Sequence, residues 1–193
     1  MAADDLTETQ LSSHTVYHGG LLHVKEDRVE LPDGRQATRE YIVHPGAVVV
    51  IPLLDNGDVV MERQFRYPLR RDLYELPAGK LDPGENPLFC GQRELLEETG
   101  YVACKWRYVA TIHPCIGYSD EAISLYLAEG LSPGPHQRDG DEFLEIFCLP
   151  LAEALEWVRI GRITDVKTVI GLFWAEKIAQ GWHPPESPYS VSV

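Results

Sequence analysis

The chain has 193 residues, of which 44% are hydrophobic and 24% are charged, a balance typical of a globular protein with a substantial core. Its formal net charge is −13, from 30 acidic and 17 basic residues, which argues against nucleic acid or an anionic membrane as the main ligand. No apolar run reaches the length of a membrane span, and the polar, acidic start is unlike a signal peptide. Four cysteines without CxxC spacing (90, 104, 115 and 148) predict a cytoplasmic protein with reduced, buried thiols.

The first 44 residues have a strand-like pattern. Residues 1–13 are polar, and we expect them to be frayed. From 14 to 44, alternating runs flank the turn Pro32-Asp33-Gly34, which is a strong hairpin signal. Residues 1–44 are therefore predicted to form a small antiparallel β unit, too short to fold alone. This unit either packs on the rest of the chain or pairs with a second subunit.

The remaining residues, 45–193, are predicted to form one α/β domain. Residues 46–54 are continuously apolar, as in a strand covered on both faces, and Asn56-Gly57 turns the chain into a second strand. A helix is predicted over 86–99, with Pro87 in its first turn and Gly100 just past its end. Strands follow at 105–113, 121–128 and 142–149, then two helices. The pattern predicts a mixed sheet with helices on both faces.

The last helix carries apolar residues at helical spacing, which predicts a buried stripe along one side. Its members are Val166, Val169, Ile170, Phe173 and Trp174.

The segment most informative about chemistry is GKLDPGENPLFCGQRELLEETGY, residues 79–101. On the predicted helix, Glu94 and Glu98 are four residues apart and share a face, with Glu97 beside them. Like charges at this spacing destabilise a helix by about 0.2–0.5 kcal/mol for each pair. Such a cluster nevertheless suits a hard cation such as Mg²⁺, which in turn holds phosphate oxygens. A solvated acidic face is the usual explanation of a short Glu-rich pattern taken alone.

Here the pattern is much longer than three glutamates. The segment fits G-x5-E-x7-R-E-U-x-E-E-x-G-U, where U is a bulky apolar residue and Tyr101 replaces the usual aliphatic one. Agreement by chance is on the order of one in 10⁸ for each start position. The chain therefore resembles the Nudix hydrolase family, and residues 44–46, 64–67, 75–79 and 165–168 resemble its ADP-ribose pyrophosphatase branch. The fixed positions of the motif are Gly79, Glu85, Arg93, Glu94, Glu97, Glu98 and Gly100.

The resemblance implies a Nudix α/β/α sandwich that uses Mg²⁺, or Mn²⁺, to hydrolyse the pyrophosphate bond of ADP-ribose or a related ADP-sugar. The products would be AMP and a sugar phosphate. Glu94 and Glu98 would be the main metal ligands, the Ala78 carbonyl a further ligand, and Glu97 a ligand or a water-positioning group. Glu85 and Arg93 would form a structural pair between loop and helix. Gly79 and Gly100 would be structural.

The resemblance also implies residues outside the motif. Arg66 would contact the phosphates or the terminal sugar, which suits its planar guanidinium, although a strand arginine can also be a surface group. The catalytic base would lie in the acidic stretch at 138–142, where Glu142 is favoured for base or metal contact. Glu97 acting through the metal shell is a further candidate for orienting water. The choice between Glu142 and its neighbours Asp139, Asp141 and Glu145 stays open.

The chain departs from the branch at the segment Pro114-Cys115-Ile116-Gly117-Tyr118-Ser119-Asp120-Glu121. The branch carries a marker proline followed by glycine. When the two are aligned on Gly-x-Ser-Asp-Glu, Ile116 stands at the position of the marker proline. Pro114 lies two residues earlier. Ser119 and Glu121 are predicted to reach the terminal ribose, whereas the identity of the preferred sugar stays open.

Three functions are compatible with these features. The favoured one is an ADP-ribose or ADP-sugar diphosphatase. The second is a Nudix hydrolase for another nucleoside-diphosphate sugar, such as GDP-mannose, or for a broad range of substrates. The third, a non-catalytic ligand sensor, is disfavoured because its motif would be expected to be broken. In the branch the N-terminal unit forms a domain-swapped homodimer, so a homodimer is expected, without nucleic-acid or membrane partners.

Overall fold

The computed structural model describes residues 6–134 and 143–186. Ten strands are assigned within them: β1 (Thr9–His18), β2 (His23–Glu30), β3 (Gln36–Ile42), β4 (Ala47–Leu53), β5 (Asp58–Arg66), β6 (Arg71–Glu75), β7 (Ala78–Lys80), β8 (Tyr101–Ile112), β9 (Ile123–Pro133) and β10 (Leu144–Pro150). The helices are α1 (Pro87–Glu94), continued by a π-helical turn (Leu95–Thr99), then α2 (Leu151–Arg159) and α3 (Val166–Ala179). None of the helices in these residues is long and apolar enough to cross a membrane.

The described residues up to His44, together with Cys115–Glu121, form one compact unit. Its strands form an antiparallel sheet in the order β1-β2-β3. The predicted hairpin at 32–34 is confirmed, with Gly34 at a φ of +83° that favours glycine. The expectation that residues 1–13 are frayed is wrong from Thr9 onward. Pairing with β2 satisfies the backbone of β1, and Gln10 Nε2 donates to the buried carboxylate of Asp27 at 2.6 Å.

The second unit contains Pro45–Pro114 and the described residues from Ala122 onward. Its mixed sheet has the order β10-β5-β4-β9-β8, with β6 paired to β5 and β7 paired to β4. Strand β4 runs parallel to β9 and is buried on both faces, as its apolar sequence predicts. On one face Val48 packs with Cys90 of α1, and on the other Ile51 lies in one core cluster with Leu172 of α3. The prediction of helices on both faces is thereby confirmed.

The predicted buried stripe of α3 is only partly correct. Val166 and Phe173 are exposed, whereas Val169, Ile170 and Trp174 are partly buried against the core. The helix packs most closely on the sheet at Gly171, where a Cβ would lie 2.6 Å from Leu76 Cδ1. Close approach of the helix to the sheet, not the positions of its largest side chains, decides which face is buried. The buried residues of α3 are Thr168, Gly171, Leu172 and Ala175.

All four cysteines lie in the described residues, and all are free thiols, but only Cys90 is buried. Cys115 is partly exposed, and Cys104 and Cys148 are exposed. The expectation of buried thiols is wrong for these two because they lie on β8 and β10, the strands at the two ends of the sheet order. An edge strand that is covered on one face leaves its alternate residues in solvent.

Candidate active site

The acidic helix begins and ends where its sequence predicts. Asn86 is the N-cap, and its side chain accepts a hydrogen bond from the backbone N–H of Leu88 at 2.9 Å. Pro87 follows in the first turn, where no backbone donor is needed. Gly100 ends the helix in the left-handed conformation, with φ at +75°. The unpredicted feature is the π-helical last turn, a distortion that often occurs at functional sites.

Two carboxylates of this helix lie against the backbone of strand β7. Glu98 is 7% exposed, and its Oε2 accepts a hydrogen bond from the backbone N–H of Ala78 at 3.0 Å. Glu94 lies so close to Gly79 that a Cβ at that position would be 1.8 Å from Glu94 Oε1. A side chain at position 79 would therefore displace the Glu94 carboxylate. The two carboxylates face the same strand, as their four-residue spacing predicts.

Arg93 lies at the centre of the acidic residues. Its Nε and Nη2 each donate to Glu85 at 3.0 Å, which is the pair predicted from the sequence. Its Nη1 donates to Glu94 at 2.8 Å and to Glu97 at 3.0 Å. The hydrogen bond from Arg93 lowers the pKa of Glu85 to about 2, and that bond together with the nearby carboxylates raises the pKa of Arg93. Arg93 thus joins the loop before the helix to the carboxylates on it.

The donor set suits a hard divalent cation. Glu94, Glu97 and Glu98 offer carboxylate oxygens, which Mg²⁺ prefers, and the missing side chain of Gly79 leaves room for Glu94 beside β7. Within residues 6–134 and 143–186, no three His, Cys, Asp or Glu side chains form a ready-made metal cluster. In the present arrangement the positive charge beside Glu94 and Glu97 is the guanidinium of Arg93. The carboxylate oxygens fit such a cation chemically.

A thiol nucleophile is disfavoured at this site. Burial, together with the charges of Glu85 and Glu94, raises the pKa of Cys90 to about 12. The thiol therefore stays protonated at neutral pH and donates to the backbone carbonyl of Lys80 at 3.4 Å.

A second charged group, which the sequence did not reveal, is built around Glu75 at the end of β6. The Glu75 carboxylate is 1% exposed, and it accepts from Arg66 Nε at 2.6 Å and from Arg66 Nη2 at 2.7 Å. Lys167 of α3 also donates to Glu75. Burial acts to raise the pKa of Glu75, but the bonds from Arg66 and the charge of Lys167 outweigh it and the pKa is lowered. Arg66 is thus a half-buried, oriented residue, with its side chain 39% exposed.

Helix α3 makes a second set of contacts with the residues that follow β6. Asp165 caps the helix by accepting from the Thr168 backbone N–H at 3.0 Å and from the Thr168 hydroxyl at 2.7 Å. The Thr168 Oγ1 in turn accepts from the buried backbone N–H of Leu76 at 2.9 Å. Segment 75–79 is therefore held by α3 at Glu75 and Leu76, and by the acidic helix at Ala78 and Gly79. The only signal of these contacts in the sequence is the segment 165–168, which resembles the ADP-ribose pyrophosphatase branch.

The predicted sugar-contacting residues lie in the first unit. The hydroxyl of Ser119 accepts from the backbone N–H of Glu121 at 3.2 Å, and Asp120 Oδ1 accepts from the backbone N–H of His44 at 2.7 Å. The Glu121 carboxylate is 3.7 Å from His44 Nε2. Ile116, at the position of the branch's marker proline, is 84% exposed. The segment is therefore fastened to the end of β3 by local hydrogen bonds, with Ile116 left open to solvent.

The candidates for the catalytic base fall mostly outside the described residues. Asp139, Asp141 and Glu142 all lie there, so the assignment of Glu142 stays a prediction. Glu145 is described, and it is an exposed residue of β10 that forms an ion pair with Arg63. That ion pair gives Glu145 an alternative role on the outer strand of the sheet.

The fold and the acidic helix define an α/β/α protein with a carboxylate-lined site beside a short strand. Residues 43–166 match the family model described as NUDIX domain, and residues 8–42 match the nucleoside diphosphate sugar hydrolase N-terminal domain. The chain therefore belongs to the Nudix family.

Relatives of similar length carry this assignment across most of the chain. It is 38% identical to "ADP-ribose pyrophosphatase" of Bacillus subtilis (strain 168), covering 86% of this chain and 91% of that protein. It is 40% identical to "Methanol dehydrogenase activator" of Bacillus methanolicus, over 86% of this chain and 90% of that protein. It is 36% identical to "GDP-mannose pyrophosphatase" of Cronobacter sakazakii, over 65% of this chain and 70% of that protein. A solved structure of an ADP compounds hydrolase has the same fold, with a TM-score of 0.81 and 23% sequence identity. The match covers 90% of this chain and 95% of that chain.

Proposed function

We propose that this enzyme hydrolyses the pyrophosphate bond of ADP-ribose or a related ADP-sugar, giving AMP and a sugar phosphate. The observation that carries the proposal is the position of Glu94 and Glu98 against the backbone of Ala78 and Gly79. Pyrophosphate cleavage needs concentrated negative oxygens that hold a cation, and this arrangement supplies them in an intact motif. An intact motif also argues against the sensor function, for which these carboxylates would have no use.

The proposed metal ligands are Glu94, Glu98 and the carbonyl of Ala78, with Glu97 as a ligand or as the group that orients water. A divalent cation held there, Mg²⁺ or Mn²⁺, supplies charge neutralisation for the pyrophosphate and activates water. The rigid part of the site comes from the chain itself. Gly79 gives Glu94 its space, the Ala78 N–H fixes Glu98, and Arg93 with Glu85 anchors the loop before the helix.

Outside the motif we propose Arg66 as the residue that contacts the substrate phosphates. Its Nε and Nη2 are used by Glu75, which orients the guanidinium and leaves Nη1 as the nitrogen for phosphate. We propose Glu142 as the base that deprotonates water, and Ser119 and Glu121 as the contacts to the terminal ribose. No covalent intermediate is needed in this scheme, which agrees with the protonated state of Cys90.

A second candidate is a preference for another nucleoside-diphosphate sugar. It is favoured by Ile116, which replaces the proline expected of the ADP-ribose branch, and by the relatives named as GDP-mannose pyrophosphatases. Both candidates use the same acidic helix, so the metal and the bond cleaved are common to them. They differ only in which leaving sugar is accepted.

A substrate screen with the purified full-length enzyme separates the candidates. The kcat/KM would be measured for ADP-ribose, other ADP-sugars, GDP-mannose and dinucleotides, with Mg²⁺ and with Mn²⁺. ADP-ribose or an ADP-sugar is expected to give the highest value. Turnover of ADP-ribose no better than that of GDP-mannose would reject the first candidate in favour of the second.

We further propose a cytoplasmic homodimer formed through the N-terminal β unit, residues 1–44. The four free thiols suit a reducing compartment. Strand β1 is exposed along its whole length, although it includes the apolar side chains of Leu11, Val16 and Tyr17. An exposed edge strand of this kind presents unpaired backbone groups that can pair with a second chain. Light scattering should give about twice the 21.7 kDa mass of one chain, and a monomer mass at micromolar concentration would contradict the proposal.

A further inference from the structure

We propose that Lys167 is a positioning residue for substrate binding, which acts through Glu75 to hold Arg66 in the orientation that receives the phosphates. This inference rests on the proposed function of Arg66. Lys167 lies just past residue 166, where the match to the NUDIX domain ends. The first turn of α3 therefore adds to the site a cation that lies outside the matched region.

The geometry joins the three side chains in series. Glu75 uses one oxygen for Arg66 Nε and the other for both Arg66 Nη2 and Lys167 Nζ. Lys167 is itself fixed, since its Nζ also donates to Asp165, the N-cap of α3, at 3.0 Å. Its side chain is only 13% exposed. Lys167 is thus oriented, and the Glu75 carboxylate that it contacts has little freedom to rotate away from Arg66.

The charges around Arg66 give Lys167 a second effect on the same residue. The buried carboxylates of Glu62 and Glu75 face each other across β5 and β6, and Asp165 also acts on Arg66 electrostatically. Lys167 balances part of this negative charge. Without it more of the negative charge of Glu75 would act on Arg66, and the attraction of Arg66 for an anionic phosphate would fall. A charge at low exposure has such an effect because little solvent screens it.

A merely structural role for Lys167 predicts something different. If the residue only attached α3 to the sheet, its removal would lower the thermal unfolding temperature and leave the kinetics of the folded fraction unchanged. A positioning role predicts a rise in KM with a much smaller change in kcat, because phosphate contacts made before the reaction are weakened in the ground state and transition state alike. It also predicts rescue by arginine, which keeps the charge.

The experiment compares steady-state kinetics of the wild type, Lys167→Met, Lys167→Gln and Lys167→Arg on whichever nucleotide sugar the wild type hydrolyses best. Lys167→Met is expected to raise KM about tenfold and to change kcat less than about threefold, by the loss of one charge-assisted contact to Glu75. Lys167→Arg should stay within about threefold of the wild-type KM. Lys177→Met, which removes a partly exposed lysine ten residues further along the same helix, is the matched control and should leave both constants unchanged.

A double-mutant cycle with Arg66→Lys tests the route through Arg66. In that background Lys167→Met should have little further effect on KM, because the residue through which it acts has already been replaced. A full, additive effect would overturn the proposal, as would a wild-type KM in Lys167→Met. If Lys167→Met does not fold, Lys167→Gln keeps a hydrogen-bond donor without the charge, and a wild-type KM in that variant overturns the proposal equally. A wild type that hydrolyses none of the nucleotide sugars would instead refute the proposed function.

Discussion

The contact between Gly79 and Glu94 allows a single added methyl group to test the metal assignment. In Gly79→Ala the new Cβ would lie 1.8 Å from Glu94 Oε1, 2.0 Å from its Cδ and 2.6 Å from its Cγ. An ordinary carbon–oxygen contact is about 3.4 Å, so the carboxylate must retreat by about 1.6 Å. The backbone does not need to move, because the clash is with the end of a flexible side chain. The substitution therefore displaces one proposed ligand and leaves the fold in place.

The expected cost falls on catalysis and not on folding. A misplacement of about 1 Å in a catalytic group can lower the rate about 10²-fold, which corresponds to about 2.7 kcal/mol in the activation free energy. The unfolding free energy should change by less than about 1 kcal/mol, since the main loss is the partly exposed ion pair between Arg93 and Glu94. We therefore expect kcat to fall about a hundredfold and the thermal midpoint to move by only a few degrees.

The assay is phosphate-ester product release from the preferred nucleotide sugar at saturating Mg²⁺, with thermal unfolding measured on the same samples. Gly20→Ala is the control, because a Cβ at Gly20 meets no atom within 4 Å. In a Glu94→Ala background, Gly79→Ala should add little, since the displaced carboxylate is absent. A wild-type kcat in Gly79→Ala, or a full hundredfold loss in the Glu94→Ala background, would refute the reasoning.

Three further predictions follow from neighbouring contacts. Glu98→Gln should lower kcat at least about a hundredfold while the protein stays folded, because the amide oxygen can still accept from Ala78 N–H but the charge is lost; unchanged turnover contradicts the metal assignment. Glu85→Gln should reduce the loss of unfolding free energy between about pH 4.3 and pH 2. The pKa of Glu85 is about 2 in the folded protein and about 4.3 in the unfolded chain, so the carboxylate stabilises the fold above pH 4.3 and this stabilisation is lost as the pH falls toward 2. If urea unfolding gives the same pH dependence for wild type and mutant across this window, the prediction is contradicted. Gly171→Ala should destabilise by about 1–2 kcal/mol, since overpacking against buried Leu76 exceeds the gain in helix propensity, and a raised thermal midpoint would be the contrary result.

The sequence predicts the parts of the site that depend on local spacing. Asn86, Pro87 and Gly100 specify the ends of the acidic helix by hydrogen bonds and backbone preferences within a few residues, and the four-residue spacing places Glu94 and Glu98 on one face. Strands β6 and β7 were missed because they are short and are separated only by Leu76 and Pro77. Their pairing partners on β5 and β4, not their own composition, make them strands.

The Glu75 group could not be predicted in this way. Lys167 and Thr168 contact Glu75 and Leu76 across a separation of 92 residues, and no periodic pattern connects positions so far apart. The buried face of α3 was missed for a related reason. It depends on how closely Gly171 allows the helix to approach the sheet, which is a property of the packed structure.

The charge balance of the site supports the proposed role of a divalent metal in substrate binding. The chain carries a net charge of −13, and a nucleoside diphosphate sugar adds two negative charges on its phosphates. Three cations in the described part of the site face carboxylates: Arg93 faces Glu85, Glu94 and Glu97, while Arg66 and Lys167 face Glu75. Each of these cations is shared with at least one anion, so together they offset only part of the negative charge of the substrate. We propose that a divalent ion supplies the additional positive charge, since the carboxylates of the site are suitable ligands for it.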